Sequence, residues 1–459
     1  MGRHGTGWIG RGIGVMGLGV VLSAAAPAWA GGCPALGWAE GLGAFQDTNA
    51  AFPTKDTPLN AVDCNFHQWS WEAFVWATAL DANGVPRFMG LQTPNDLFTA
   101  SAGKPRTGML KLAARSSTLH GMAGFVEGAG AIVEADGNML VGPNGYPVYA
   151  SVHMSPGYFK VAQQNLIATG GYLSQPADAY FNVGDAVFKA TWLRLDPGQS
   201  PPDGAYTTQA QVPNLHVLRT KTTAAVAPNG TYQTVTVALV GLHVVGYTIN
   251  HPEMLWATFE HLANTPSTPD NTFSTSGSNP NSYTFYRGNT PYTQVNLQNS
   301  SPPTLNFDLA TQKFSPPTMA VQENATGGEN HPDGATNIAG VNQGGQGFLA
   351  GETGTQSLFA NYRLIGTVWM QPNSYSLTSD QTDAVGSVNL ANTTAETFVQ
   401  QASNANKQQW QNCFSCHNPT SYSFQSYPPP LKNRLIAISH VLGEGTPYAV
   451  PNVMPVKIQ

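Results

Sequence analysis

The stretch Thr231–Ile249, TYQTVTVALVGLHVVGYTI, decides the fold class. It is built from Val, Thr, Tyr and Ile, whose branched or aromatic side chains suit a pleated surface better than a helix. Gly241 and Gly246 interrupt it, so it reads either as two strands or as one long strand carrying a bulge. Sequence on both sides repeats the signal. Val187–Leu195 alternates as a strand does, and Leu358–Met370 is a further strand candidate with a glycine at 366. Asn138–Val141 and Tyr146–Met154 flank Pro143-Asn144-Gly145, where an Asn-Gly turn between apolar runs signals a hairpin.

Helical signals are fewer. Residues 66–80, FHQWSWEAFVWATAL, hold no Gly or Pro and carry apolar residues at three- and four-residue spacing, which predicts a helix with a wide buried face. Its Trp69, Trp71, Phe74 and Trp76 read as an aromatic core anchor, the alternative being the wall of a cofactor or sugar pocket. Thr393-x-x-Glu396 is a capping box that predicts a helix to about Gln409, and Leu431–Leu442 predicts a short final helix stopped by Gly443. Two polar stretches, residues 264–303 and 323–347, are expected to be surface-loop insertions, because Asn, Ser, Thr, Pro and Gly build no core face. The fold class expected from these signals is α+β, mainly antiparallel β with a few helices.

Composition narrows the function. The chain has 459 residues, 41% of them hydrophobic and only 10% charged, with 48 Gly and 34 Pro. Such a chain buries a sizeable core and is not disordered. Twenty basic residues against 26 acidic ones leave a net charge of −6, which argues against a nucleic-acid partner. Arg3 and Arg11, an apolar run from Ile13 to Ala26 and the small-x-small site Ala28-Trp29-Ala30 make residues 1–30 a secretory signal peptide cut after Ala30. A membrane anchor is the alternative, but the run is short of the roughly 20 residues a spanning helix needs and is broken by Gly14, Gly17 and Gly19. Cys33 lacks the Leu-rich box that precedes a lipidated cysteine. The mature protein is therefore expected to be periplasmic or secreted, acidic and without a stable membrane span.

The four cysteines fall into two pairs. Cys33 and Cys64 lie near the mature N-terminus, where an oxidising compartment favours a disulfide; two buried thiols are the alternative. The second pair sits in Asn412-Cys413-Phe414-Ser415-Cys416-His417. Cys-x-x-Cys-His is the attachment signature of a c-type haem. Two thiols one helical turn apart reach the two vinyl groups of one porphyrin, and the following imidazole falls under the iron as its proximal ligand. A redox Cys-x-x-Cys wants a thioredoxin-like βαβ context, and a zinc site wants a second ligand pair at short spacing; neither is present in the sequence. The expected cofactor is one covalent haem c, bound through Cys413, Cys416 and His417.

At these residues the chain resembles monohaem c-type cytochromes of the large exported bacterial "cytochrome c family". Three longer phrases add to the resemblance: Gly241–Gly246 (GLHVVG), Trp256–His261 (WATFEH) and Leu390–Thr394 (LANTT). It implies electron transfer with a redox partner protein. Small cytochromes of this kind place the motif near the N-terminus and a methionine ligand far downstream. Here only 42 residues follow His417, so a small helical haem fold does not fit in the tail and the haem segment is expected to dock on the large upstream domain. The expected organisation is residues 1–30 signal peptide, 31–390 a large β-rich domain, and 391–459 a C-terminal haem segment.

The sixth iron ligand decides between electron exchange and small-molecule chemistry. His440 shares a helix face with Leu435 and Ile436, and Met454 lies in a Pro-bounded loop; both are candidates, as is a histidine of the large domain. His243, His251 and His261 have no recognised metal spacing and read as structural, with a distal haem or second metal site as the alternative. Electron carrier is the first functional reading. A haem-dependent oxidoreductase with a substrate site in the large domain is the second, and a haem-containing binding or sensing protein the third.

Overall fold

The computed structural model describes residues 51–54, 63–96, 106, 109–112, 139–167, 181–219, 224–267, 277–297, 305–324, 334–371, 384–398, 400, 412–417, 454–455 and 457–458. The signal peptide expected at 1–30 and the final helix expected at 431–442 lie outside them. Four α-helices are described: α1 (Asp63–Thr78), α2 (Pro156–Ile167), α3 (Gly334–Ala350) and the single turn α4 (Cys413–Cys416). The described strands are β1 (Leu110–Lys111), β2 (Val148–Met154), β3 (Ala186–Arg194), β4 (Thr207–Arg219), β5 (Ala224–Thr248), β6 (His251–His261), β7 (Asn306–Asp308), β8 (Lys313–Ser315), β9 (Tyr362–Met370), β10 (Ala384–Gly386), β11 (Met454–Pro455) and β12 (Lys457–Ile458). The class is α+β with mainly antiparallel β.

The stretch 231–249 resolves as a single strand. β5 runs for 25 residues and is the spine of a nine-stranded sheet among the described residues. Its first part pairs with β4 and β11, and its last part with β3 on one side and β6 on the other. β6 continues to β9 and β10, and β3 to β2, all antiparallel. The register shifts on β5 opposite Thr191/Trp192, beside Gly241, as a bulge requires. The expected hairpin forms where the Asn-Gly turn places it: Gly145 N–H donates to Gly142 O, and Val141 bridges Pro147 just before β2.

One face of the sheet carries α1 and α3. Leu242, Val244, Leu255, Ala257 and Phe259 alternate toward it, and Phe74 of α1 stacks on Phe259 at 4.2 Å. Trp71 meets the edge of the same ring at 5.0 Å. A phenylalanine buried this fully contributes roughly 1.5–3 kcal/mol. Trp69, Trp71 and Phe74 are almost wholly enclosed here, so the aromatic helix is a core element.

One expected loop is a helix. Residues 334–347 of the polar stretch 323–347 belong to α3. Ile338, Val341 and Leu349 recur at helical spacing and are buried, and Phe348 is half-buried against the same core. Two polar or small residues complete the contact. Gly345 lies directly on the Trp71 indole, where any Cβ would clash. Asn342 accepts from Trp71 Nε1 and from Leu364 N–H and donates to Leu364 O, supplying the ladder bonds that β9 lacks beside its bulge. By contrast, the described part of 264–303 is loop and one 3₁₀ turn, Tyr292–Gln294.

The second correction concerns Thr393-x-x-Glu396. Residues 391–398 form turns rather than a helix, and the rest of the expected helix, except residue 400, lies outside the described residues. Asn392 takes the capping role: its Oδ1 accepts Thr394 N–H, and Glu396 reaches back to its N–H at 2.9 Å. The hydroxyls of Thr393 and Thr394 bond to the sheet instead of continuing a helix. Cys64 is disulfide-bonded, and its partner lies outside the described side chains.

Candidate functional site

The other face of the sheet holds the tail motif. Val245 of β5, Trp256 of β6 and Val368 of β9 are cross-strand neighbours on it, with Val187 of β3 beside them. They join Tyr158 and Phe159 of α2 and Phe414 in one apolar cluster. Next to this row comes a polar one. Lys189 pairs with His243 and His243 with Thr258.

A strap, residues 387–398, lies across the polar row and leads toward the motif. Asn392 Nδ2 donates to Thr258 Oγ1 at 2.8 Å and to Phe259 O at 3.1 Å. Thr394 and Thr191 hydroxyls meet at 2.6 Å. Glu260 accepts Thr393 N–H at 2.6 Å, Thr393 Oγ1–H, and Gln322 Nε2–H at 2.8 Å. Burial pushes the Glu260 carboxyl above its ordinary range, while the Thr393 bonds and the nearby Arg363 charge act against that shift. Gly241 makes the close approach geometrically feasible, since a Cβ there would sit 2.5 Å from Thr191 Oγ1 and 2.6 Å from Thr394 Oγ1. The three phrases GLHVVG, WATFEH and LANTT thus form one packed unit, and the chain after 390 is built into the large domain at least to Phe398.

Asn412 sets the motif in place. Its Nδ2 donates to Val388 O of the strap at 3.0 Å, and its Oδ1 accepts Phe414 N–H at 2.9 Å, capping the single turn α4. Phe414 is buried against Trp256 with ring centroids 6.1 Å apart. His417 N–H closes the turn on Cys413 O at 2.8 Å. The half-buried His417 ring lies 4.4 Å from the Trp256 ring at 39°, and Trp256 Nε1 is itself fixed by Glu253 O at 2.9 Å. Cys413 is half-buried against this apolar cluster, as are Val161, Val187 and Tyr247.

This donor set fits a c-type haem. Positions 413 and 416 are one helical turn apart, and His417 follows at once, its N–H closing the turn on Cys413 O. The apolar cluster against which Cys413 packs suits a porphyrin edge. The side chain of Cys416 lies outside the described residues, as does His440. Met454 is not brought to the motif. Its backbone pairs with Val226 in β11, at the opposite end of β5 from Val245 and Trp256, tens of ångströms along the strand.

The other three histidines do not converge. His243 Nε2 lies 3.1 Å from Glu396 Oε1, at ion-pair distance but without hydrogen-bond alignment, and Lys189 Nζ is 3.5 Å from the same oxygen. His251 bonds Glu253 in the core. His261 Nδ1 accepts Ala263 N–H, and burial holds its pKa down to about 4. Among the described residues no group of three His, Cys, Asp or Glu side chains is arranged to hold a metal ion. No helix of the described residues is long and apolar enough to cross a membrane.

Sequence reading found the motif but not its supports. Asn412 was legible in principle, as an N-cap residue just before a short turn. Trp256 and Val388 carry no local signal, because their role arises only when β6 and the strap meet the tail. A groove of about 590 Å³, lined by Tyr283, Arg287, Leu297, Pro316 and Met319 among others, shares no residue with the surroundings of His417. Comparisons of the chain with protein-family models, with curated proteins and with solved structures found no match.

Proposed function

We propose that the protein is an exported c-type haem protein with one covalently bound haem, and that it transfers electrons to or from a redox partner protein. In this reading Cys413 and Cys416 carry the thioether links and His417 is the proximal iron ligand. Asn412 and Phe414 fix the turn that presents them, and Trp256 orients the imidazole. When bound, the haem supplies a one-electron ferric–ferrous couple. His440 is the sixth ligand in this proposal, and two histidines hold the potential lower than a histidine–methionine pair does.

The single observation that carries the reading is the capped turn Cys413–Cys416 with His417 held against Trp256 on the sheet. The test is the absorption spectrum of the exported protein before and after reduction, with and without carbon monoxide. Low-spin spectra indifferent to carbon monoxide support the electron carrier. A carbon monoxide complex in the native protein transfers support to a haem oxidoreductase. In His440→Ala, a change from low to high spin supports the proposed ligand, and an unchanged spectrum rejects it.

A further inference from the structure

A buried histidine–glutamate pair that the electron-transfer reading does not use touches Phe66 of α1 and is joined to Trp256 through the Glu253 carbonyl. His251 and Glu253 are 2% and 3% exposed, and His251 Nδ1 is 2.7 Å from Glu253 Oε1. Met370 N–H donates to the same oxygen at 3.1 Å. The backbone carbonyl of Glu253 accepts Trp256 Nε1–H, and the Trp256 ring lies on His417. The segment is held in an uncommon conformation: Met254, next to Glu253, has φ 68°, where β6 bulges between the pairs Thr248–His251 and Gly246–Leu255. Left-handed backbone at a bulky residue persists where the surroundings over-determine it.

A carboxyl in a poorly solvated interior feels a nearby charge strongly. Burial pushes the Glu253 carboxyl above its ordinary range, with the His251 hydrogen bond acting the other way. The neighbours come from the elements packed against the pair. From α1, Phe66 faces the His251 ring edge-on, and His67 is kept neutral by burial with a pKa of about 3. From β9 come Trp369, stacked on Phe66, and the Met370 amide; from β5, Thr248. Glu260, farther along β6 and opposite Arg363, is the competing buried carboxyl.

We infer that the Glu253 carboxyl, held by His251, is a proton-binding site coupled to the charge on the iron at His417, so that the protein takes up a proton as it accepts an electron. The inference rests on the haem reading above. The balance is one electron from a one-electron donor, which takes ferric iron to ferrous, and one proton from solvent, which ends on the Glu253 carboxyl. Both leave on oxidation, and no other bond forms or breaks.

The experiment is a spectroelectrochemical titration of the purified haem-loaded protein from pH 5 to pH 9. The inference expects the midpoint potential to fall in one sigmoidal step as pH rises, the step to vanish in Glu253→Gln and to persist in Glu260→Gln. A flat profile in the wild type, or a step that survives in Glu253→Gln, overturns it. Should Glu253→Gln not fold, proton uptake by the wild type on reduction in unbuffered indicator solution decides: uptake within the same pH window supports the inference and none overturns it. A coloured protein with a flat potential sinks this inference alone. A colourless protein sinks the haem reading together with it.

Discussion

The His417 ring rests on the Trp256 ring with centroids 4.4 Å apart. Trp256 belongs to β6, between Val245 of β5 and Val368 of β9, so the tail motif is seated on the middle of the sheet. That contact joins the residues proposed to hold the cofactor to the centre of the sheet.

Replacing Trp256 by leucine removes the ring contacts to His417 and Phe414 and the bond to Glu253 O. The expected loss of stability is about 2–4 kcal/mol, read from the urea midpoint. The cysteines are untouched, so haem attachment is expected to continue. An unchanged midpoint would mean that the contact carries no packing energy.

Three glycines separate close approach from open space. Gly241→Ala forces a methyl between Thr191 and Thr394 and displaces the strap, and Gly345→Ala drives one into Trp71. Each is expected to cost about 1–3 kcal/mol. A Cβ added at Gly347 in the same helix α3 would meet nothing within 4 Å, so Gly347→Ala is expected to stabilise by about 0.5–1 kcal/mol. Equal effects at 345 and 347 would contradict the packing of α3 on α1.

Asn412→Ala deletes both the cap on Phe414 N–H and the tie to Val388 O. The turn that presents Cys413 and Cys416 is then loosened by about 1 kcal/mol. The expected result is a smaller haem-loaded fraction by intact mass, with Asn412→Asp, which keeps the cap, closer to the wild type.

The buried histidines make stability fall in mild acid. Burial holds His67 and His153 down to about 3 from an ordinary 6.5. Both are neutral when folded, and the unfolded chain binds more protons below pH 6.5. Stability from these groups is therefore full above that pH and is lost progressively toward pH 3, by up to about 1.4 kcal/mol per pH unit for each. Urea midpoints between pH 7 and pH 4 check this, and His67→Asn is expected to flatten the slope.

What the sequence disclosed followed local chemistry. The β-branched run 231–249, the Asn-Gly turn at 144–145 and the aromatic stretch 66–78 each carried their structure in neighbouring residues. The helix α3 did not, because Ile338, Val341 and Leu349 are too sparse a stripe and its packing rests on Asn342 and Gly345 meeting Trp71, remote in sequence. The turn at 392–398 was misread for the same reason: Glu260 and Thr191, also remote in sequence, draw Thr393 and Thr394 out of a helical course. At the candidate site Cys413, Cys416 and His417 were legible as a motif, while the strap and Trp256 that seat them were not.

The most direct test weighs the mature exported polypeptide made in a host that matures c-type cytochromes, alongside its pyridine haemochrome spectrum. The account predicts a mass larger than the bare chain by one haem, retained under denaturing conditions and lost in Cys413→Ser/Cys416→Ser. A colourless protein whose mass equals that of the polypeptide alone would contradict it.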